Sequence, residues 1–90
     1  MTFDDDDLER IAAEANATSY GLAASVWTRN LSVAHRLVKR IKAGSVGVNT
    51  HMAPDPALPR GGRKSSGWGD ERGREGVEAC TELKTVLIAL

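Results

Sequence analysis

The sequence predicts an α/β chain: one strand–helix–strand unit, a long glycine- and proline-rich loop, and a β-prone terminal segment. Three observations predict it. Two short, nearly continuous apolar runs, residues 22–28 and 45–49, have the texture of strands in a parallel sheet covered on both faces. Between them Leu31, Ala34, Leu37, Val38 and Ile41 recur at helical spacing. Between residues 51 and 76, three prolines and six glycines exclude one long helix or strand.

The elements follow in order. Four aspartates, residues 4–7, precede Leu8, Ile11, Ala12 and Ala15, the apolar spacing of a one-sided helix. One of these acids is expected to cap the helix, and all four sit where its dipole favours negative charge. They do not read as a metal site, because adjacent acids at a helix start point in different directions. Residues 16–21 read as a loop with Gly21 as its turn residue. Asn30 is the expected N-cap of the second helix. Arg36, Lys39, Arg40 and Lys42 fill that helix's other face as a solvated surface, and Gly44 is its expected C-cap. Strand, helix and strand with a tight crossover make a βαβ unit. The loop that follows is long enough to be functional or to be held by something outside it. A short helix is expected within residues 71–80, and a strand over residues 85–90 with Lys84 at its start.

Ninety residues make one small domain at most. Area scaling gives about 14,000 Å² unfolded and about 5,000 Å² folded. Burying roughly 9,000 Å², some 60% of it apolar, is worth about 130 kcal/mol. Ordering the chain costs about 135 kcal/mol. The two cancel, so a core can form with no margin. Twelve basic and twelve acidic residues also cancel, which removes a basic field for nucleic acid or anionic membrane. One cysteine, Cys80, excludes an internal disulfide or a zinc cluster. The acidic start is unlike a signal peptide, and the longest apolar run, residues 86–90, is far too short to cross a bilayer. The expectation is a soluble cytoplasmic protein in a reducing compartment.

No complete catalytic constellation is visible in the residues themselves. Gly67-Trp68-Gly69 with Gly73 mimics a dinucleotide fingerprint, but a proline-rich loop precedes it instead of a strand. Gly61-Gly62-Arg63-Lys64-Ser65 has the wrong spacing for a phosphate loop. His35 falls on the polar side of its helix. His51 follows a strand end, where α/β proteins place functional groups. Cys80 has no flanking base and reads as a buried structural thiol. Glu71 and Glu82 are too far apart in sequence to assign as an acid/base pair.

From Asn49 onward the chain resembles the carboxy-terminal portion of the NAD(P)-dependent aldehyde dehydrogenases, and the likeness extends over essentially all ninety residues. Ala15-Asn16 with Tyr20-Gly21-Leu22-Ala23-Ala24-Ser25-Val26-Trp27-Thr28 is similar to one strand of that family. Ala43-Gly44-Ser45-Val46-x-Val48-Asn49 is similar to a second. Pro59-x-Gly61-Gly62-x-Lys64-x-Ser66-Gly67-x-Gly69-x-Glu71-x-Gly73 is similar to its closing loop, and Thr81-Glu82-x-Lys84-Thr85-Val86 to the start of its terminal strand. Asn49-Thr50-His51 with Asp55-Pro56 further resembles the branch acting on aromatic aldehydes such as phenylacetaldehyde.

The resemblance implies residues 1–80 as an incomplete C-terminal part of the catalytic domain and 81–90 as an oligomerisation strand. The family oxidises an aldehyde to an acid with a cysteine nucleophile, NAD or NADP as hydride acceptor, and a glutamate-activated water. Those residues and the nucleotide-binding domain lie upstream of the matched region. Cys80 stands where the family usually has tyrosine. The chain then looks like roughly the last fifth of such an enzyme, binding no cofactor alone. Glu71 matches a buried glutamate on a proton path, whose burial would raise its pKa. Asn49, His51 and Arg60 fall along the substrate channel. Glu82, Thr85, Val86, Leu87 and Ile88 fall at the subunit interface, so the implied partners are dehydrogenase subunits or further copies of this chain. Four positions depart from the pattern. Arg60 replaces a phenylalanine of the channel wall, Gly47 an aromatic residue, Asp70 an arginine and Cys80 the tyrosine.

Three functional expectations follow. The first is a truncated aldehyde dehydrogenase, inactive alone. The second is a non-catalytic module that docks on dehydrogenase subunits, and the third a gene remnant.

Overall fold

The structure is a computed structural model that describes residues 2–3, 7–51 and 55–90. Helix α1 spans Leu8–Asn16, strand β1 Ala23–Val26, helix α2 Leu31–Arg40 and strand β2 Ser45–Val48. β1 and β2 pair in parallel, with Ala23 opposite Ser45 and Val26 opposite Val48. This is the expected βαβ unit, with α2 as the crossover.

Helices α1 and α2 begin as their sequences dictate. Asp7 caps α1, its carboxylate accepting from the Arg10 N–H at 3.0 Å. Asp4, Asp5 and Asp6 lie outside the described residues. Asn30 caps α2 by accepting from the Val33 N–H at 3.2 Å. The end of α2 differs from expectation. Ile41, not Gly44, is the C-cap, and it leaves the helix in an extended conformation. Gly44 has another task, a close approach to the loop described below.

The core is small. Val26, Val33 and Leu37 form its buried centre, with Leu8, Ile11, Ile41 and Val46 packed partly against it. Ala12 and Ala34 are also buried. The stripe on α2 is rotated from the expected one: Val33 points inward, and Leu31 at the helix start is exposed. β1 is not covered on both faces within this chain, since its flanking residues Leu22 and Trp27 are exposed.

The long loop carries a minimal antiparallel ladder. β3 spans Arg60–Gly61 and β4 Asp70–Glu71, with Arg60 opposite Glu71. Helix α3, Gly73–Glu78, follows. The loop is fastened to the βαβ unit through backbone. Gly21 O accepts from both Gly44 N–H (3.0 Å) and Arg63 N–H (2.9 Å), and Ser65 N–H donates to Ser19 O at 2.8 Å. Lys64 Nζ donates to Asn16 O at 2.9 Å and Thr18 O at 3.0 Å, which closes off the C-terminal end of α1. Gly44 makes the tightest approach, because a Cβ there would stand 1.6 Å from Gly61 O.

Two sequence expectations fail beyond this point. Residues 81–90 form no strand; they are exposed throughout and carry no regular structure. A single β-prone segment cannot satisfy its own backbone groups, and no described strand lies beside it. Cys80 is exposed, not buried. The radius of gyration is 17.8 Å, against about 12 Å for a globular domain of this length. The chain exposes 7449 Å², against about 5,000 Å² from the scaling law.

Candidate functional site

The parallel sheet and the Gly/Pro loop enclose a cleft of about 470 Å³. Ala24, Val46 and Val48 line it from the two strands, and Leu58 and Pro59 from the loop. Its polar lining includes His51, Asp55, Arg60 and Arg72. The size falls within the usual range for small-molecule sites.

His51 reaches the cleft from the turn that follows β2, two residues beyond Asn49. Its Nδ1 lies 2.8 Å from Ser25 Oγ on β1, which fixes the ring beside the sheet. Asp55 is held in a turn, its carboxylate accepting from the Ala57 N–H at 2.9 Å while Leu58 N–H donates to Asp55 O at 3.1 Å. Arg60 enters from β3 and is half-buried. Arg72 follows Glu71, the register partner of Arg60. Its backbone sits at φ +63°, ψ +174°, a region populated almost only by glycine. The next residue, Gly73, is seated closely on the loop. Gly73 N–H donates to Pro56 O at 3.0 Å, and a Cβ on Gly73 would stand 3.1 Å from both Ala57 O and Pro59 N.

Asn49 lies apart from the cleft. It adopts φ +52°, a left-handed conformation that asparagine tolerates better than most residues. Thr28 N–H donates to its Oδ1 and its Nδ2 donates to Thr28 O, both at 2.9 Å. Its side chain therefore clamps the C-terminal ends of β1 and β2. It borders a second hollow of about 390 Å³ with Trp27, Arg29 and Leu31. Of the three expected channel residues, the structure brings His51 and Arg60 together and sets Asn49 in the neighbouring hollow.

Glu71 is exposed on β4, so this chain alone does not provide the burial expected around it. Glu82, Thr85, Val86, Leu87 and Ile88 are exposed in the irregular terminal segment. Lys64 is committed to the backbone carbonyls of Asn16 and Thr18. The glycine motif does not fit a dinucleotide. Nothing lies within 4 Å of a Cβ placed on Gly67 or Gly69, the strand before Gly73 has two residues and the helix after it six. Among the described residues no group of three or more His, Cys, Asp or Glu side chains could hold a metal ion, and no helix is long and apolar enough to cross a membrane.

Sequence reasoning missed Ser25 as the partner of His51, and Arg72 altogether. The parallel register pairs Ser25 with Gly47, and His51 meets Ser25 because the chain turns back after Asn49, whose φ is +52°. Nothing in the sequence marks Arg72 as a left-handed position.

Comparison with known proteins places these features in context. The aldehyde dehydrogenase family matches residues 1–86. The chain is 51% identical over 76 residues to the NADP/NAD-dependent aldehyde dehydrogenase PuuC of Escherichia coli, covering 84% of this chain and 15% of that protein. It is 46% identical over 83 residues to the phenylacetaldehyde dehydrogenase of Pseudomonas fluorescens, covering 92% and 16%. Among solved structures, an indole-3-acetaldehyde dehydrogenase in its apo form superimposes with a TM-score of 0.84 at 44% identity, over 100% of this chain and 21% of that one. An NAD-dependent aldehyde dehydrogenase from Sinorhizobium meliloti gives 0.80 at 43% identity, over 88% and 15%. The chain spans between 15% and 18% of the length of the curated relatives it matches.

Proposed function

Because the chain belongs to the aldehyde dehydrogenase family, we propose that it forms the C-terminal part of the catalytic domain of an NAD(P)-dependent aldehyde dehydrogenase, with residues 81–90 pairing across subunits. In this reading the chain supplies scaffold, one wall of a substrate cleft and a contact surface. The family reaction, oxidation of an aldehyde to a carboxylic acid, requires a nucleophilic cysteine, a deacylating glutamate and a nucleotide-binding domain. The reading assigns none of these to the present residues, so the chain alone is inactive. His51 and Arg60 face the substrate, Asn49 fixes the strand ends behind them, and Glu71 and Glu82 act only once other parts of the enzyme cover them.

The observation that carries the reading is the coverage: strong identity along nearly the whole chain, against less than a fifth of each curated relative. The excess exposed surface and the bare terminal segment support it. Leu87 is 93% exposed and Ile88 79%, values suited to side chains awaiting a partner. They equally favour docking on a dehydrogenase subunit, the second reading.

Two measurements test the proposal. Purified chain with NAD or NADP and a panel of aldehydes including phenylacetaldehyde is expected to give no turnover. Turnover that is lost in Glu71→Gln would overturn inactivity. Native mass spectrometry is expected to show self-association or capture by dehydrogenase subunits. A folded monomer that ignores both would remove the contact role.

A further inference from the structure

Ser25 has no part in the reading above, yet it meets the histidine that lines the cleft. Its Oγ lies 2.8 Å from His51 Nδ1, a separation at which a side-chain base takes up a hydroxyl proton. Solvent reaches both residues: Ser25 is half-buried and His51 exposed.

Three features of the backbone build this pair. Side chains alternate along a strand. Val26 and Val46 turn into the core, so Ser25 and its register partner Gly47 face away from it. Gly47 is the second feature. A Cβ there would stand 2.5 Å from Thr50 O. With no side chain at residue 47, and with Asn49 at φ +52°, the chain folds back over the end of β2 and sets His51 against Ser25. The third feature is the outer edge of β1. Leu22 O accepts the Ser45 N–H at 3.1 Å and Val26 O accepts the Asn49 N–H at 2.8 Å, so these residues bond toward β2. Ser25 alternates with them and turns its N–H the other way, to an edge that no described strand covers.

We propose that Ser25 is a nucleophile activated by His51 and that it accepts the acyl group of small esters. With the imidazole proton on Nε2, Nδ1 is the acceptor for the Ser25 O–H. Oγ attacks the ester carbonyl carbon, and its proton passes to Nδ1. The outward N–H of Ser25 meets the negative charge that forms on the carbonyl oxygen. The carbon–oxygen bond to the leaving alcohol then breaks, and the alcohol departs with the proton from Nδ1. An acyl ester on Ser25 Oγ remains, with nothing oxidised or reduced. Ala23 and Ser45, on the same face as Ser25, are small, which favours a short acyl chain. The reaction needs neither NAD(P) nor an aldehyde, so it stands apart from the proposed dehydrogenase role.

The 90-residue chain carrying Cys80→Ser, which removes the exposed thiol as a competing nucleophile, is mixed with p-nitrophenyl acetate and quenched early in acid. Peptide mass spectrometry locates the acetyl groups. Ser65, an exposed serine in the same molecule, is the internal standard. Ser25 is expected to be acetylated about a hundredfold faster than Ser65. His51→Gln keeps a polar side chain without a base and is expected to bring Ser25 down to the rate of Ser65, with partial rescue by added imidazole. The Ser25 rate is expected to rise with pH as the imidazole loses its proton and then to level off. That profile is read on the chain with His51 in place, so it stands whatever a variant does to the fold. Equal acetylation of Ser25 and Ser65, a Ser25 rate unchanged in His51→Gln, or a flat pH profile overturns the proposal. Ester cleavage that persists undiminished in Ser25→Ala makes the imidazole the nucleophile and overturns it as well. Aldehyde turnover, present or absent, bears on the dehydrogenase reading alone.

Discussion

Gly44→Ala tests how the loop is seated on the sheet. The glycine needs no unusual φ, so an added methyl acts through space alone. Its Cβ would stand 1.6 Å from Gly61 O and 2.7 Å from Gly61 C. Ordinary contact begins beyond 3 Å, so one backbone segment must move by about 1.4 Å or more. Neither neighbour is a flexible side chain. Movement of residue 44 strains two hydrogen bonds at the start of β2, Gly44 N–H to Gly21 O and Ser45 N–H to Leu22 O. Movement of residue 61 displaces Arg60 from the cleft wall. Two weakened backbone hydrogen bonds at about 1 kcal/mol each and overpacking of about 1–3 kcal/mol give a loss of about 3–5 kcal/mol. Urea denaturation followed by far-ultraviolet circular dichroism measures it. Gly69→Ala is the control, since a Cβ there meets nothing within 4 Å and its φ is not positive; its expected effect is within about 0.5 kcal/mol. A Gly44→Ala chain within about 1 kcal/mol of the parent would refute the close seating of loop on sheet.

Further expectations follow from the same geometry. Leu37→Ala removes the centre of the small core and should cost about 2–5 kcal/mol in the same assay. Asn49→Ala loses both hydrogen bonds to Thr28 and the tolerance for φ +52°, so it should destabilise by about 2–3 kcal/mol, whereas Asn49→Gly keeps the backbone and should cost less. Removal of residues 83–90 should leave the circular dichroism spectrum and urea midpoint of the isolated chain unchanged within about 0.5 kcal/mol, because that segment is exposed throughout. Glu9→Gln breaks the exposed 2.7 Å pair with Arg40 and should cost less than about 1 kcal/mol, less still at high salt.

The local elements were legible because their causes are local. Asp7 and Asn30 cap helices through their own side chains, and the parallel pairing of β1 with β2 follows from a strand–helix–strand order. What the sequence concealed depends on contacts distant along the chain. Gly44 resembles a helix cap by position, yet its smallness serves the approach of Gly61. The inward turn of Val33 and the exposure of Leu31 depend on how α2 lies across β1, which periodicity alone does not resolve. Residues 85–90 carry strand-forming side chains without a strand beside them, so the propensity is real and the partner missing. Of the cleft, Arg60 and His51 were visible as chemistry-bearing positions. Arg72 was not, because left-handed geometry at a non-glycine residue is imposed by neighbours and leaves no trace in composition.

The two-strand parallel sheet has a practical consequence. β1 and β2 bond only to each other among the described residues, so each offers an outer row of amide and carbonyl groups. Such rows template further strands from other molecules. The apolar, uncharged stretch from Val86 to Leu90 can supply them. Concentrating the isolated chain should therefore drive it toward ordered aggregates, and lysine substitutions in that tail should act as gatekeepers that keep it dispersed.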